Sequence, residues 1–236
     1  MSSGLTCIIC PPARIGEAIY LYALPFSRDM RIGLVACDIF EPEFELLIKD
    51  DPDFVHKDYV EFALHAYPDD MRAELLKRVN ALKGKVDAVL LGYAQCQSLG
   101  GFTETVDVPT VMFEGDDCIC VFLGAKEYTK EKKICTGTWF SSPGWAREGT
   151  NGLIKEMHLD SVEGMDPMIF MDMLFESYER CLYIDTGVKS CDCDYLAKSK
   201  EFAEALRLRH DERKCDLSAL ENMIAKVKEL ASKQIS

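Results

Sequence analysis

The chain has 236 residues, 48% of them hydrophobic, with a formal net charge of -13. That size and apolar content make one large domain or two small ones, and no apolar run is long enough to span a bilayer. The acidic balance, with no basic stripe or interleaved aromatic platform, excludes a sequence-independent nucleic-acid binder, which needs clustered cations to displace counterions.

The first 29 residues stand apart. "CIICPPARIGEAIYLYALPFSRD" has weak periodicity and two adjacent prolines, and a buried-strand pattern begins only after Met30. Residues 1–29 therefore read as a leader or extension, with Met30 as the natural start. Cys7 and Cys10 form one C-x-x-C, but a structural zinc site needs two more ligands, and the apolar filling favours packing. The start also lacks the basic region and cleavage site of a secretory signal, so a soluble, cytoplasmic protein is expected.

From Met30 the chain alternates. The continuous apolar run at 31–36 predicts a parallel strand buried on both faces. "EPEFELLIKD" predicts a helix with proline near its start. "HKDYVEFALH" reads as a strand ending at His65. "PDDMRAELLKRVNALKG" predicts a helix, with Pro68 first, acids in the first turn and Gly84 as the stop. "VDAVLLGY" and "VPTVMFEG" are further strands, and "CICVFLGAKEYTKEKK" a helix behind Cys118. "ICTGTWFSSPGWARE" reads as a strand closing in a Ser-Pro-Gly turn. "GMDPMIFMDMLFESYER" reads as an apolar helix whose four methionines serve core packing. "CLYIDTG" is a strand, "DYLAKSKEFAEALRLRH" a helix, and "DLSALENMIAKVKELASK" a last helix capped by Asp216. Alternating strands and helices predict an α/β fold: a mostly parallel, doubly wound sheet with helices on both faces, over residues 30–236, with sub-lobes 30–125 and 126–236.

Eleven cysteines are many for a chain without a secretory signal. In a reducing compartment such thiols are buried, metal-bound or redox-active rather than paired. Three stand out because each follows an apolar run at the same end: Cys37, Cys96 and Cys118. All strands of a parallel sheet point one way, and ligands of open α/β sheets bind beyond the carboxyl ends. The three thiols are thus expected to meet on one rim, where thiolates would select zinc, copper(I) or an iron–sulfur cluster. The alternative is three independent core thiols. Gly92, Gly100, Gly101 and Gly115 flank them and would let backbone approach a ligand, although glycines end strands everywhere. No dinucleotide fingerprint or phosphate loop occurs.

The ordered set "GLVACDIFEPE", "FALHAYPDDMR", "DAVLLGYAQCQSLGG", "DDCICVFLG", "SPGW" and "LYIDTG" resembles a family defined only as domain of unknown function 1638. The resemblance runs from about residue 31 to about residue 230 and rests on the set rather than on any one motif. It implies a family widespread in anaerobic bacteria and methanogenic archaea, often encoded beside corrinoid-dependent methyl-transfer genes. It further implies that Cys37, Cys96, Cys118 and His65 are the family's recurrent positions. Where members carry His-Asp-Cys, this chain has Asp116-Asp117-Cys118, which puts any role of that histidine in doubt here.

The resulting expectation is a metal site of Cys37, Cys96 and Cys118, with His65 as fourth ligand or proton donor, holding zinc or an iron–sulfur cluster. Asp117 either orients a ligand or caps the following helix. Cys120 is assigned to the core. Cys135, Cys181 and Cys215 are assigned to core or surface. "SCDCD" at 190–194 is a weaker C-x-C candidate, Asp185 and Thr186 contact a ligand or cap the next helix, and Trp145 is either a pocket wall or turn packing. Three functions follow: a metalloprotein serving corrinoid-linked methyl transfer or redox metabolism, partnered by a corrinoid protein or methyltransferase; a metal-free small-ligand or partner-binding module using the same crevice; or a cysteine nucleophile with His65 as base.

Overall fold

The structure is a computed structural model, described here over residues 29–235 except 63, 65, 66, 96–98, 116, 162, 163 and 165. Residues 1–28, with Cys7 and Cys10, lie outside that range.

Two parallel sheets form the frame. The first contains β1 (Ile32–Cys37), β2 (Phe54–Val60), β3 (Ala88–Ala94) and β4 (Thr110–Phe113), in spatial order β2-β1-β3-β4. The central strands β1 and β3 are buried at every residue. That burial is why they read as unbroken apolar runs, for a parallel strand covered on both faces has no polar side. Ala36 pairs with Gly92, and a Cβ on Gly92 would lie 2.4 Å from the Cβ of Ala36 and 2.9 Å from the Phe44 ring. Gly92 thus serves close packing in the core.

α1 (Glu41–Ile48) and α2 (Pro68–Asn80) follow β1 and β2. Met71, Leu75 and Val79 bury one side of α2 at helical spacing. The stop of α2 comes earlier than Gly84: the helix ends at Asn80, and Gly84, at φ 76°, turns the chain a few residues later. α3 (Cys118–Ile134) follows β4 and breaks at Gly124, whose φ of 72° and ψ of 149° are not helical.

The second sheet is β5 (Thr138–Ser141), β6 (Arg180–Asp185) and β7 (Arg209–Lys214), in that order. Two elements here depart from expectation. Ser-Pro-Gly is not a turn but the start of α4 (Pro143–Glu156): Ser142 caps it through its hydroxyl, and Pro143 takes the first position, where no amide is needed. The helix is disguised by Gly144, Gly149 and Gly152, and it breaks at Gly149. β7, "RHDERK", falls where the sixth helix was expected to continue. It is a polar edge strand with no fully buried residue, so apolar periodicity cannot reveal it. α6 (Tyr195–Ala205) stops before it.

α5 (Pro167–Leu174) is shorter than its apolar pattern, and only part of its methionine set is core: Met171 is fully buried while Met173 is 69% exposed. α7 (Ser218–Ile235), with Asp216 receiving the Ser218 amide, returns to the first sheet. It inserts Leu220, Met223 and Val227 into that sheet's core, each burial contributing about 2 kcal/mol. No described helix is long and apolar enough to cross a membrane.

The sheets meet at their C-terminal edges. A 3-10 turn, Asp38–Phe40, extends β1. Gly144 of α4 packs on it so closely that a Cβ would sit 1.9 Å from the Ile39 carbonyl oxygen. Arg147 clamps the same seam, donating to the Glu41 carboxylate and, at 3.1 Å, to the Asp38 carbonyl. Thr186, just past β6, donates to Glu43 Oε1 across the same seam at 2.9 Å.

Candidate metal centre

The strand order places the switch point of the first sheet between β1 and β3, where connections leave in opposite directions and a crevice opens beyond the carboxyl ends. Cys37 is the last residue of β1 and is fully buried. Its Sγ lies 3.8 Å from Asp38 Oδ1. Cys118 opens α3, near enough to Cys37 to disfavour ionisation of its thiol. The Tyr93 hydroxyl, on β3 between them, sits against the Cys37 sulfur. Two of the three expected thiols are therefore neighbours at this rim. Cys96 lies outside the described residues, two positions past the end of β3 in the sequence, and β3 lies between β1, which ends on Cys37, and β4, which precedes α3 and Cys118. His65 lies outside them too, and the strand expected to end on it ends at Val60. Among the described residues, no three His, Cys, Asp or Glu side chains are grouped to hold a metal. Of the proposed ligands, the described residues thus contain only the pair Cys37 and Cys118.

Burial pushes the Cys37 thiol well above its ordinary value, and Cys118 adds to the shift. A neutral, desolvated thiol is a poor nucleophile, which disfavours the cysteine-nucleophile reading. Burial pushes Asp38 to about 6; Glu148 adds to this and Arg147 opposes it. Burial likewise raises Tyr93, and Cys37 and Cys118 add to the shift.

The remaining candidates resolve as follows. Asp117 caps α3: its carboxylate accepts the Cys120 amide at 2.7 Å and the Tyr128 hydroxyl. Cys120 is core, 6% exposed. Gly115 has φ 141°, and a Cβ there would meet Cys120 Sγ at 3.5 Å, so it shapes the entry to α3. Gly101, at φ 65°, opens a 3-10 turn at Phe102–Glu104, and the Gly100 carbonyl accepts from Arg72 at 3.3 Å. Neither Asp185 nor Thr186 caps the next helix: Asp185 accepts the Gly187 amide, Thr186 bonds Glu43, and Asp194 caps α6. Cys191 and Cys193 line a cavity of about 550 Å³ with Glu41, Arg147 and Tyr195, in the groove between the lobes. Cys181 is buried, and Cys215, half-buried, is pushed up to about 12 by burial and by Glu43.

Several residues of this region have no signal in the sequence. Glu43 is fully buried, and its Oε2 has no hydrogen-bond partner among the described residues. Burial raises its carboxyl to about 8, with the Thr186 bond opposing. An acid whose folded value lies above its unfolded one of 4.5 loses stability as pH rises between the two. Below 4.5 both states hold the proton; above 8 both have released it. Glu43→Gln keeps an acceptor for Thr186 and removes the titration. Its stability relative to the parent is expected to grow from pH 5 to pH 8, by up to about 1.4 kcal/mol per pH unit. Urea denaturation across that range checks this, and a constant difference refutes it.

Neither the curated proteins nor the solved structures contain a match to this chain. A family model described as a protein of unknown function (DUF1638) matches residues 59–224. Cys96, Cys118, Trp145 and β6 fall inside that stretch, and β1 with Cys37 lies before it. With more than half of its length matched, the chain belongs to the DUF1638 family.

Proposed function

We propose that the protein is a cytoplasmic, cysteine-ligated metalloprotein whose centre is held by Cys37, Cys96 and Cys118, with His65 as fourth ligand or proton donor. The centre is an iron–sulfur cluster or zinc, serving corrinoid-linked methyl transfer or redox metabolism beside a corrinoid protein or methyltransferase. One observation carries this reading: Cys37 and Cys118, remote in sequence, are electrostatic neighbours at the switch point, on either side of the strand that leads into Cys96. Thiolates are the ligands that zinc and iron–sulfur clusters select. The first turn of α3 adds amide groups that favour an anionic sulfur. Bound metal would supply Lewis acidity or electron transfer. The chain's own residues position the sulfurs and keep Cys37 out of water.

Anaerobic purification with elemental analysis and a visible spectrum tests the proposal. Iron with sulfide and broad charge-transfer absorption identifies a cluster, and stoichiometric zinc in a colourless protein identifies the other metal. Protein free of both, which takes up neither on reconstitution, overturns it. A second reading, a metal-free ligand or partner module, is favoured by the groove between the lobes, where Glu41, Arg147 and Tyr195 border the 550 Å³ cavity.

A further inference from the structure

A separate cavity of about 460 Å³ lies beside α4. Its walls are Trp139 of β5, Trp145 and Glu156 of α4, Met157 and His158 just beyond, and Tyr67 ahead of α2. The two indoles meet edge to face at 5.3 Å, and the Tyr67 and His158 rings pair at 5.4 Å. Among the described residues, no lysine or arginine lines the cavity. Glu156 Oε2 is buried without a hydrogen-bond partner among the described residues. Burial raises that carboxyl to about 7, and Asp38 nearby adds to the shift rather than supplying a counter-charge. His158 takes a left-handed backbone conformation, φ 53°, that non-glycine residues adopt at a cost and that tends to mark functional sites.

Packing alone accounts for part of this. Trp139 rests on Phe202 and Phe175 in the second lobe's core. It does not account for a carboxylate oxygen left buried and unpaired in an aromatic setting, since native structures pair such atoms. Aromatic faces attract cations, and boxes of aromatic side chains recognise quaternary ammonium groups. A primary ammonium or guanidinium brings three or more N–H donors that each need an acceptor, and these largely aromatic walls offer side-chain acceptors only at Glu156, Tyr67 and His158. A methylated ammonium presents methyl groups to the rings and needs only the charge.

We propose that this cavity binds a small methylated ammonium cation, held against Trp139, Trp145 and Tyr67, with its charge met by the Glu156 carboxylate. The site does not depend on the metal, because no thiol among the described residues lines it. Both tryptophans of the chain are in its wall, so intrinsic fluorescence reports its occupancy directly.

The test titrates the full chain with choline and with its neutral carbon isostere, dimethylbutanol. Choline should change the tryptophan fluorescence saturably, and the isostere should bind at least about tenfold more weakly, as a desolvated cation–π contact predicts. Glu156→Gln should weaken choline binding by about tenfold or more, and Tyr67→Ala, at an exposed position, severalfold, with circular dichroism confirming the fold of each. No saturable change with choline, equal binding of the isostere, or full affinity in Glu156→Gln overturns the proposal. If Glu156→Gln does not fold, the isostere ratio and Tyr67→Ala decide.

Discussion

Cys37→Ser, Cys96→Ser and Cys118→Ser are each expected to lower bound metal at least about tenfold after anaerobic purification, while Cys181→Ser leaves it unchanged. Removing even an outer partner of a metal ligand costs about tenfold to a hundredfold in affinity, so losing a thiolate that contacts the metal should cost no less. Cys181 is the matched control. It is as buried as Cys37 and sits on a central strand, but of the other sheet, with its sulfur 3.7 Å from Ser199 Oγ. A serine there meets a comparable packing penalty without touching the proposed centre. Metal analysis on folded protein separates the outcomes. Equal losses in the three variants establish a shared site. Retention in Cys96→Ser while the other two lose metal removes β3 from the site. Retention in all three ends the proposal.

Gly144→Ala should destabilise the protein by about 3 kcal/mol or more, the upper end of what overpacking costs. The added Cβ would stand 1.9 Å from the Ile39 carbonyl oxygen and 2.7 Å from its Cα. Both neighbours are backbone, so no side chain can rotate away. The segment they belong to, the turn after β1, is held by Arg147 from the same helix. Relief therefore requires the two lobes to part along the seam. Gly84→Ala gives the contrast. That glycine has φ 76° and open space around it, so alanine there carries only the left-handed penalty of about 1 kcal/mol. Urea denaturation of both variants measures the difference. Equal midpoints would mean that the seam is not a rigid contact. Gly144→Ala should also shift tryptophan fluorescence, because Trp145 is the next residue.

The buried strands were legible in the sequence for a simple reason. β1 and β3 are covered on both faces, so apolar residues cannot alternate with polar ones, and the run announces the strand. α2 and α7 were legible through one-sided burial at helical spacing. The elements that escaped carry their information elsewhere. β7 pairs through its backbone to β6, and its exposed face needs no apolar residue. α4 holds glycines that a helix disfavours, because one of them lets a backbone pass at close range.

The candidate site divides the same way. That Cys37 and Cys118 share a rim follows from strand direction alone, since parallel strands deliver their carboxyl ends to one edge. Nothing in their spacing carries Glu43 and Arg147 to the seam, or Glu156 and the Trp139–Trp145 pair to the separate cavity beside α4. Glu43 stands in a segment read only as a helix with proline near its start, and it is fully buried and bonded by Thr186, just past β6 of the other sheet. Trp145, which the sequence left as either a pocket wall or turn packing, lines a cavity. Sequence by itself determined the buried strands β1 and β3 and the positions of the cysteines that follow the apolar runs, because those depend on local burial and chain polarity. The docking of one sheet's edge on the other decided which acids are buried, which glycine is indispensable and where the aromatic cavity lies, because those depend on contacts between segments that only the folded chain brings together.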